Sequence, residues 1–212
     1  ICKELIKNNF EYESIFVTEE LQSQFPISTL CSSKEIGRIS HLKNPSNVIA
    51  ICKIPTYQIN SQDKKPLIFL DNVNDPGNLG TIVRTLDWFG YKQVFCSNNT
   101  VDCFNNKSVM ASMGSILRVN CHYIDFVDFK QIFPEHIAYS TSLNGENIDS
   151  VMLNDKSIIV IGNESNGVSK EILKNINNTI RIPSYGKAES LNVSVATGII
   201  LNEMEKKITP QK

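Results

Sequence analysis

From Pro66 onward the chain alternates short apolar runs with helical stretches, and few folds accept that alternation. The runs cover residues 67–70, 93–96, 117–123, 137–140, 157–161 and 179–182. Helical patterns fall between most of them, near 79–89, 106–113, 126–132 and 169–176. Apolar runs without polar alternation are strands covered on both faces, as in a parallel sheet flanked by helices. The expected class is therefore α/β with a mostly parallel sheet. Ligands of such sheets bind beyond the carboxyl ends of the strands. The polar segments of the chain fall there, at 71–80, 141–147, 162–167 and 184–190.

The last of these segments is unusual. Pro183 stops the run 179–182, and a polar loop from Ser184 to Glu189 contains Gly186. Ser190 is expected to cap a helix that reaches about Lys207, its hydroxyl accepting a first-turn N–H. From Leu191 to Leu201 that helix is apolar or small on nearly every side, broken by Asn192, Ser194 and Thr197. A helix without a solvated face is a buried helix. A polar loop held between a strand and a buried helix is expected to line a pocket.

Residues 1–53 read as a separate, compact α/β unit with strands near 14–18, 28–31 and 48–52. Ser32 and Glu35 form a capping-box pattern ahead of a helix there. Residues 54–65 are polar, carry a proline and read as a linker, so the larger domain spans 66–212. The chain opens on Ile rather than Met, and a truncated start is expected. No apolar run approaches the roughly 20 residues of a membrane helix. The six cysteines form no C-x-x-C pair, which argues for buried thiols in a reducing, cytoplasmic setting rather than a zinc site. Net charge is −1, so composition does not advertise a nucleic-acid binder. Residues 34–65, however, hold six cations against two anions. His122 and His136 fall in or beside strands and read as structural, and His41 lies outside the motifs.

Two further motifs follow strands. In the first, Asp75-Pro76-Gly77 makes a turn, Asn78 is a candidate cap, and Arg84 lies six residues on, among the apolar Ile82, Val83 and Leu86. A cation in that setting either finds a partner or extends to solvent. In the second, Gly162 and Gly167 flank Glu164 directly after a strand, where turn N–H groups can cradle a polar ligand or simply lead into a helix. No dinucleotide-binding glycine fingerprint, Walker A sequence or hydrolase triad is readable.

In combination these motifs are specific. The order N-D-P-x-N-x-G-x-I-x-R with F-G, then I-G-N-E-x-x-G, then I-P with S-L-N-V-S-V-A resembles the SpoU (TrmH-like) branch of the knotted SPOUT RNA methyltransferases, from Pro66 to the C-terminus. Residues 1–53 loosely resemble the RNA-binding domain often fused ahead of it. The resemblance implies a C-terminal deep trefoil knot and S-adenosylmethionine as cofactor. It matches Thr141, Gly162, Ile182 and Leu191 to the family's cofactor contacts. Asn78, Arg84, Glu164, Ser190 and Asn192 match its catalytic cluster. It also implies a homodimer in which Arg84 of one subunit reaches the pocket of the other. The segment Gly162 to Gly167 carries Asn and Ser where relatives are often smaller or more acidic.

The implied activity is methyl transfer to a ribose 2′-hydroxyl in structured RNA, rRNA ahead of tRNA, with no metal and no membrane. Base methylation on the same fold is one alternative. A catalytically silent RNA-binding protein is the other, and cofactor binding separates it from an enzyme.

Overall fold

The computed structural model describes residues 1–40 and 42–208, so His41 lies outside the described residues. The chain forms two compact units, Ile1–Thr56 and Tyr57–Lys212.

The first unit holds α1 (Cys2–Lys7), β1 (Tyr12–Val17), β2 (Thr29–Leu30), α2 (Ser33–Ile39) and β3 (Val48–Cys52). Its sheet runs β2-β1-β3, with β1 parallel to β2 and antiparallel to β3. The Ser32 capping box is present: the hydroxyl accepts from Glu35 N, and the Glu35 carboxylate accepts from Ser32 N at 2.8 Å. Ile15, Val17 and Phe25 form a small buried core.

The second unit holds β4 (Leu67–Leu70), α3 (Pro76–Trp88), β5 (Gln93–Cys96), α4 (Asn106–Ala111), β6 (Asn120–Tyr123), α5 (Phe126–Ile132), β7 (Ile137–Asn147), β8 (Ser157–Ile161), α6 (Lys170–Leu173), β9 (Asn178–Arg181) and α7 (Val193–Ile208). The strands form one sheet in the order β6-β5-β4-β8-β7-β9, and every neighbouring pair is parallel. The strand expected over 117–123 starts only at Asn120, because Leu117 still belongs to a 3-10 turn over Ser115–Leu117 that follows Gly114, itself in a left-handed conformation.

The strand period of two divides the core. Ile68, Leu70, Val94, Cys96, Ile159 and Ile161 face α3 and α7. Leu67, Phe69, Phe95, Ile158 and Val160 face the other way, against Phe126 and Phe129 of α5 and Phe133 just after it. Phe129 is fully buried, with ring centroids 5.2 Å from Phe69 and 4.5 Å from Phe95. Phe129→Ala removes the centre of that layer and should cost about 3–5 kcal/mol, measured by urea unfolding. His122 stacks on Phe95 at 5.4 Å and burial pushes its imidazole below the usual range, while His136 packs edge-on against Phe133. Both serve the packing.

Two expectations about the C-terminal segment need correction. Strand β7 does not stop at residue 140: Thr141 and Glu146 both pair with Ile180, so residues 142–145 bulge out of the β9 ladder. Gly145 makes the bulge possible, since a Cβ there would lie 2.5 Å from the Ile180 carbonyl carbon. Helix α7 begins at Val193, and it is not buried all round. Val193, Thr197, Ile200, Leu201 and Met204 pack inward, while Val195 is 51% exposed. Near its far end Lys207 Nζ donates to the carbonyls of Ile148, Asp149 and Val151 at 2.7–2.8 Å, which fixes the helix against the chain that follows β7.

Candidate active site

A parallel sheet puts all its carboxyl ends on one edge, and four polar segments leave the sheet there. Thr141 sits at the β7 bulge, Gly162 follows β8, Ile182 follows β9, and the segment to Asn78 follows β4.

The β4 segment enters α3 through Asp75, the N-cap, whose carboxylate accepts from Asn78 N at 2.8 Å. Pro76 occupies the first helical position, where its missing N–H costs nothing. Asn78 is thus the third helical residue and not the cap, which leaves its side chain free to reach outward. Its Nδ2 donates to Glu164 Oε1 at 2.7 Å, and its Oδ1 accepts from Asn192 Nδ2 at 3.0 Å. One amide therefore joins the loops after β4, β8 and β9.

Asn192 also decides where α7 starts. Its Oδ1 accepts from Ser194 N at 2.9 Å, Ser194 Oγ at 2.6 Å and Val195 N at 3.4 Å. It takes the capping role expected of Ser190. Ser190 is exposed, with no side-chain hydrogen bond among the described residues. Arg84 is likewise exposed on α3, and its guanidinium meets no acidic partner among the described residues. Of the five expected catalytic residues the fold joins Asn78, Glu164 and Asn192 directly. Ser190 lies two residues from Asn192, and Arg84 lies six from Asn78 on the same helix.

Of the four expected cofactor positions, Thr141, Gly162 and Ile182 lie in or just after the neighbouring strands β7, β8 and β9, and Leu191 lies two residues before α7. Thr141 Oγ1 donates to the Val160 carbonyl at 3.1 Å. Gly162 is buried under its own turn: an added Cβ would lie 2.1 Å from the Gly167 carbonyl carbon. Ile182 is half-buried, and Leu191 is 46% exposed. No trio of His, Cys, Asp or Glu among the described residues is placed to hold a metal ion. No described helix is long and apolar enough to cross a membrane.

This arrangement can be set against known proteins. The SpoU rRNA Methylase family matches residues 65–202. The chain belongs to that family. A relative in Bacillus subtilis, 23S rRNA (guanosine(2553)-2′-O)-methyltransferase, is 28% identical over 213 residues, covering 95% of this chain and 84% of the relative. Among solved structures, a TrmH-family protein from Porphyromonas gingivalis superposes with a TM-score of 0.84 at 30% identity, over 95% of this chain and 86% of that one. An AdoMet-bound rRNA methyltransferase from Sinorhizobium meliloti gives 0.82 at 26%, over 96% and 83%.

Three polar residues in or beside the SpoU motifs were not given a role from sequence. Asp71 is 2% exposed, and its carboxylate accepts from Ser169 N at 2.7 Å and Asn72 Nδ2 at 2.8 Å. Asn72 holds a left-handed conformation, φ 55°, which asparagine tolerates better than most residues. Asn163 Nδ2 donates to the Asn72 carbonyl at 2.8 Å. The available signal was their position one or two residues past a strand end, but nothing local in a sequence says which asparagine faces inward.

Proposed function

We propose that this SpoU-family chain transfers the methyl group of S-adenosylmethionine to a ribose 2′-hydroxyl of structured RNA, with ribosomal RNA the first choice. The observation that carries the reading is the Asn192–Asn78–Glu164 bridge at the carboxyl edge of the sheet, with an exposed Arg84 on the same helix as Asn78. A relative named for 23S rRNA 2′-O-methylation supports the choice of hydroxyl and RNA.

The strand ends fit an adenosyl group. Residues 142–145 leave the ladder and keep main-chain groups available, Gly162 keeps backbone close to the site, and Ile182 and Leu191 offer apolar surface. In this reading Thr141, Gly162, Ile182 and Leu191 hold the cofactor, largely through backbone. Bound S-adenosylmethionine supplies an electrophilic methyl group. Asn78, Glu164, Asn192 and Ser190 shape the polar wall beside it. Arg84 clamps an RNA phosphate and stabilises the alkoxide that develops on the ribose oxygen. A guanidinium has no lone pair to offer as a base, so the hydroxyl proton leaves to phosphate or solvent.

The assembly completes this reading. A homodimer lets Arg84 of one subunit serve the pocket of the other. It is supported by exposed apolar residues, Trp88 on α3 at 85% and Val195 on α7 at 51%. A trefoil knot at the C-terminal segment is supported by the close passage of Gly145 over Ile180. Residues 1–53 bind and select RNA ahead of the catalytic domain at 66–212, with 54–65 as the connection. Their six cations balance six acids, but the cations from Lys34 to Lys53 follow the acids from Glu4 to Glu20, so charge is segregated along the chain. Six free cysteines support a reducing, cytoplasmic setting.

The test is tritium transfer from labelled S-adenosylmethionine to rRNA and tRNA, followed by digestion to nucleosides. The expected product is a 2′-O-methylnucleoside. Label in a methylated base would replace this reading with base methylation, and no transfer despite cofactor binding would refute it.

A further inference from the structure

Glu164 and Asn78 are 86 residues apart in the chain, and Glu164 is exposed, yet they meet at 2.7 Å. A hydrogen bond in contact with water contributes only about 0.5–1.5 kcal/mol net and does not by itself order two loops. Something beneath it must.

The turn carrying Glu164 is tied on both sides to one dipeptide, Asp71-Asn72. Before Glu164, Asn163 exchanges two backbone hydrogen bonds with Gly167, at 2.9 and 3.0 Å. The Asn163 side chain completes the turn from within: Oδ1 accepts from Ser165 N at 2.9 Å and Asn166 N at 3.3 Å. Its remaining group, Nδ2, donates to the Asn72 carbonyl at 2.8 Å. After Glu164, Ser169 N donates to Asp71 Oδ2 at 2.7 Å, and Asp71 Oδ1 accepts from Asn72 Nδ2 at 2.8 Å. Asn72 N is held in turn by Ser97 Oγ at 2.9 Å. The same dipeptide leads through Asp75 into the helix that presents Asn78.

A buried carboxylate is costly unless hydrogen-bonded. Asp71 meets that condition with no cation partner among the described residues, through donors from the two loops that must be aligned. We infer that Asp71 and Asn163 are positioning residues for methyl transfer: they set the Glu164 turn against Asn78, and through Asn78 against Asn192. The inference rests on the proposed site reading, in which Asn78 and Glu164 form the polar wall of the reacting centre. Neither Asp71 nor Asn163 needs to touch substrate.

Asn163→Asp isolates the strap. The new carboxylate still accepts from Ser165 N and Asn166 N, so the turn is kept. Its second oxygen now opposes the Asn72 carbonyl in place of a donor. The measurement is the single-turnover methyl-transfer rate of the full chain at saturating S-adenosylmethionine and rRNA, in a cycle of wild type, Asn163→Asp, Glu164→Ala and the double variant. Asn163→Asp should lose roughly 10- to 100-fold in rate, the scale of misplacing a reacting geometry by a fraction of an ångström to an ångström. Because it acts through Glu164, the double variant should fall within about 3-fold of Glu164→Ala alone, contacts in one network being non-additive. A wild-type rate for Asn163→Asp, or the same fold-loss in both backgrounds, overturns the positioning role. A wild-type rate for Glu164→Ala overturns the site reading and the inference with it, and that outcome is distinct. If Asn163→Asp melts too low to assay, Asp71→Asn carries the same cycle, since its amide cannot accept from both Ser169 N and Asn72 Nδ2.

Discussion

Arg84→Ala is expected to fold normally, bind S-adenosylmethionine as the parent does, and lose about 100-fold or more in methyl transfer, the scale of removing one preorganised donor from a developing oxyanion. Stability should hold because Arg84 is exposed and its guanidinium meets no acidic partner among the described residues. Truncating such a side chain normally shifts stability by no more than about 0.5 kcal/mol. Cofactor affinity should hold because the proposed cofactor positions lie in or after β7, β8 and β9, off the helix that carries Arg84. Arg84→Lys should rescue little, since an ammonium lacks the planar fork that grips phosphate through two donors. Tritium transfer to RNA is the measurement, with calorimetry for the cofactor. In the proposed homodimer, subunits carrying Arg84→Ala and subunits dead in the cofactor pocket should recover one working site per mixed dimer. Near-parental activity in Arg84→Ala would end the mechanism, and no recovery in verified heterodimers would return Arg84 to its own subunit's site.

Gly162→Ala should weaken cofactor binding the more strongly, and Gly167→Ala five residues on should weaken it less. The two glycines bound one turn and serve different physical needs. At Gly162 a Cβ would sit 2.1 Å from the Gly167 carbonyl carbon and 2.2 Å from Val168 N, both backbone atoms that cannot rotate away. The turn must move off β8, taking Glu164 with it. Overpacking of this kind costs about 1–3 kcal/mol, which as lost binding is roughly 5- to 150-fold. At Gly167 a Cβ meets nothing within 4 Å, but φ is +68°, a left-handed conformation. Alanine there carries about 1–2 kcal/mol of strain, and asparagine carries less. Gly167→Asn should therefore bind cofactor nearly as the parent does. Calorimetric titration of the three variants checks the order, and equal affinity in Gly162→Ala and the parent would remove this turn from the pocket.

Much of this protein was legible without coordinates because burial writes itself locally. A strand covered on both faces is apolar at nearly every position, so 67–70, 93–96 and 157–161 stood out, and each forms a buried strand. The Ser32–Glu35 capping box is a contact between residues three apart, and it formed as read. Family motifs carried the rest of the reading, since they pick out Asn78, Glu164 and Asn192 without saying how they meet.

Tertiary structure decided whatever depends on a distant partner. Strand order β6-β5-β4-β8-β7-β9 is a matter of long-range pairing that no local pattern records. Strand β7 runs on to Asn147 because Ile180 and Arg181 supply ladder partners beyond the bulge, although residues 142–147 are polar and read as a loop. Ser190 and Asn192 are both good capping residues by type. Asn192 prevails because its Nδ2 is anchored on Asn78, 114 residues away, which holds its Oδ1 over the first turn of α7. Asp71 shows the same limit most sharply. In sequence it is one more acid beside a turn, and only the arrival of Ser169 N, 98 residues later in the chain, makes it a buried anchor.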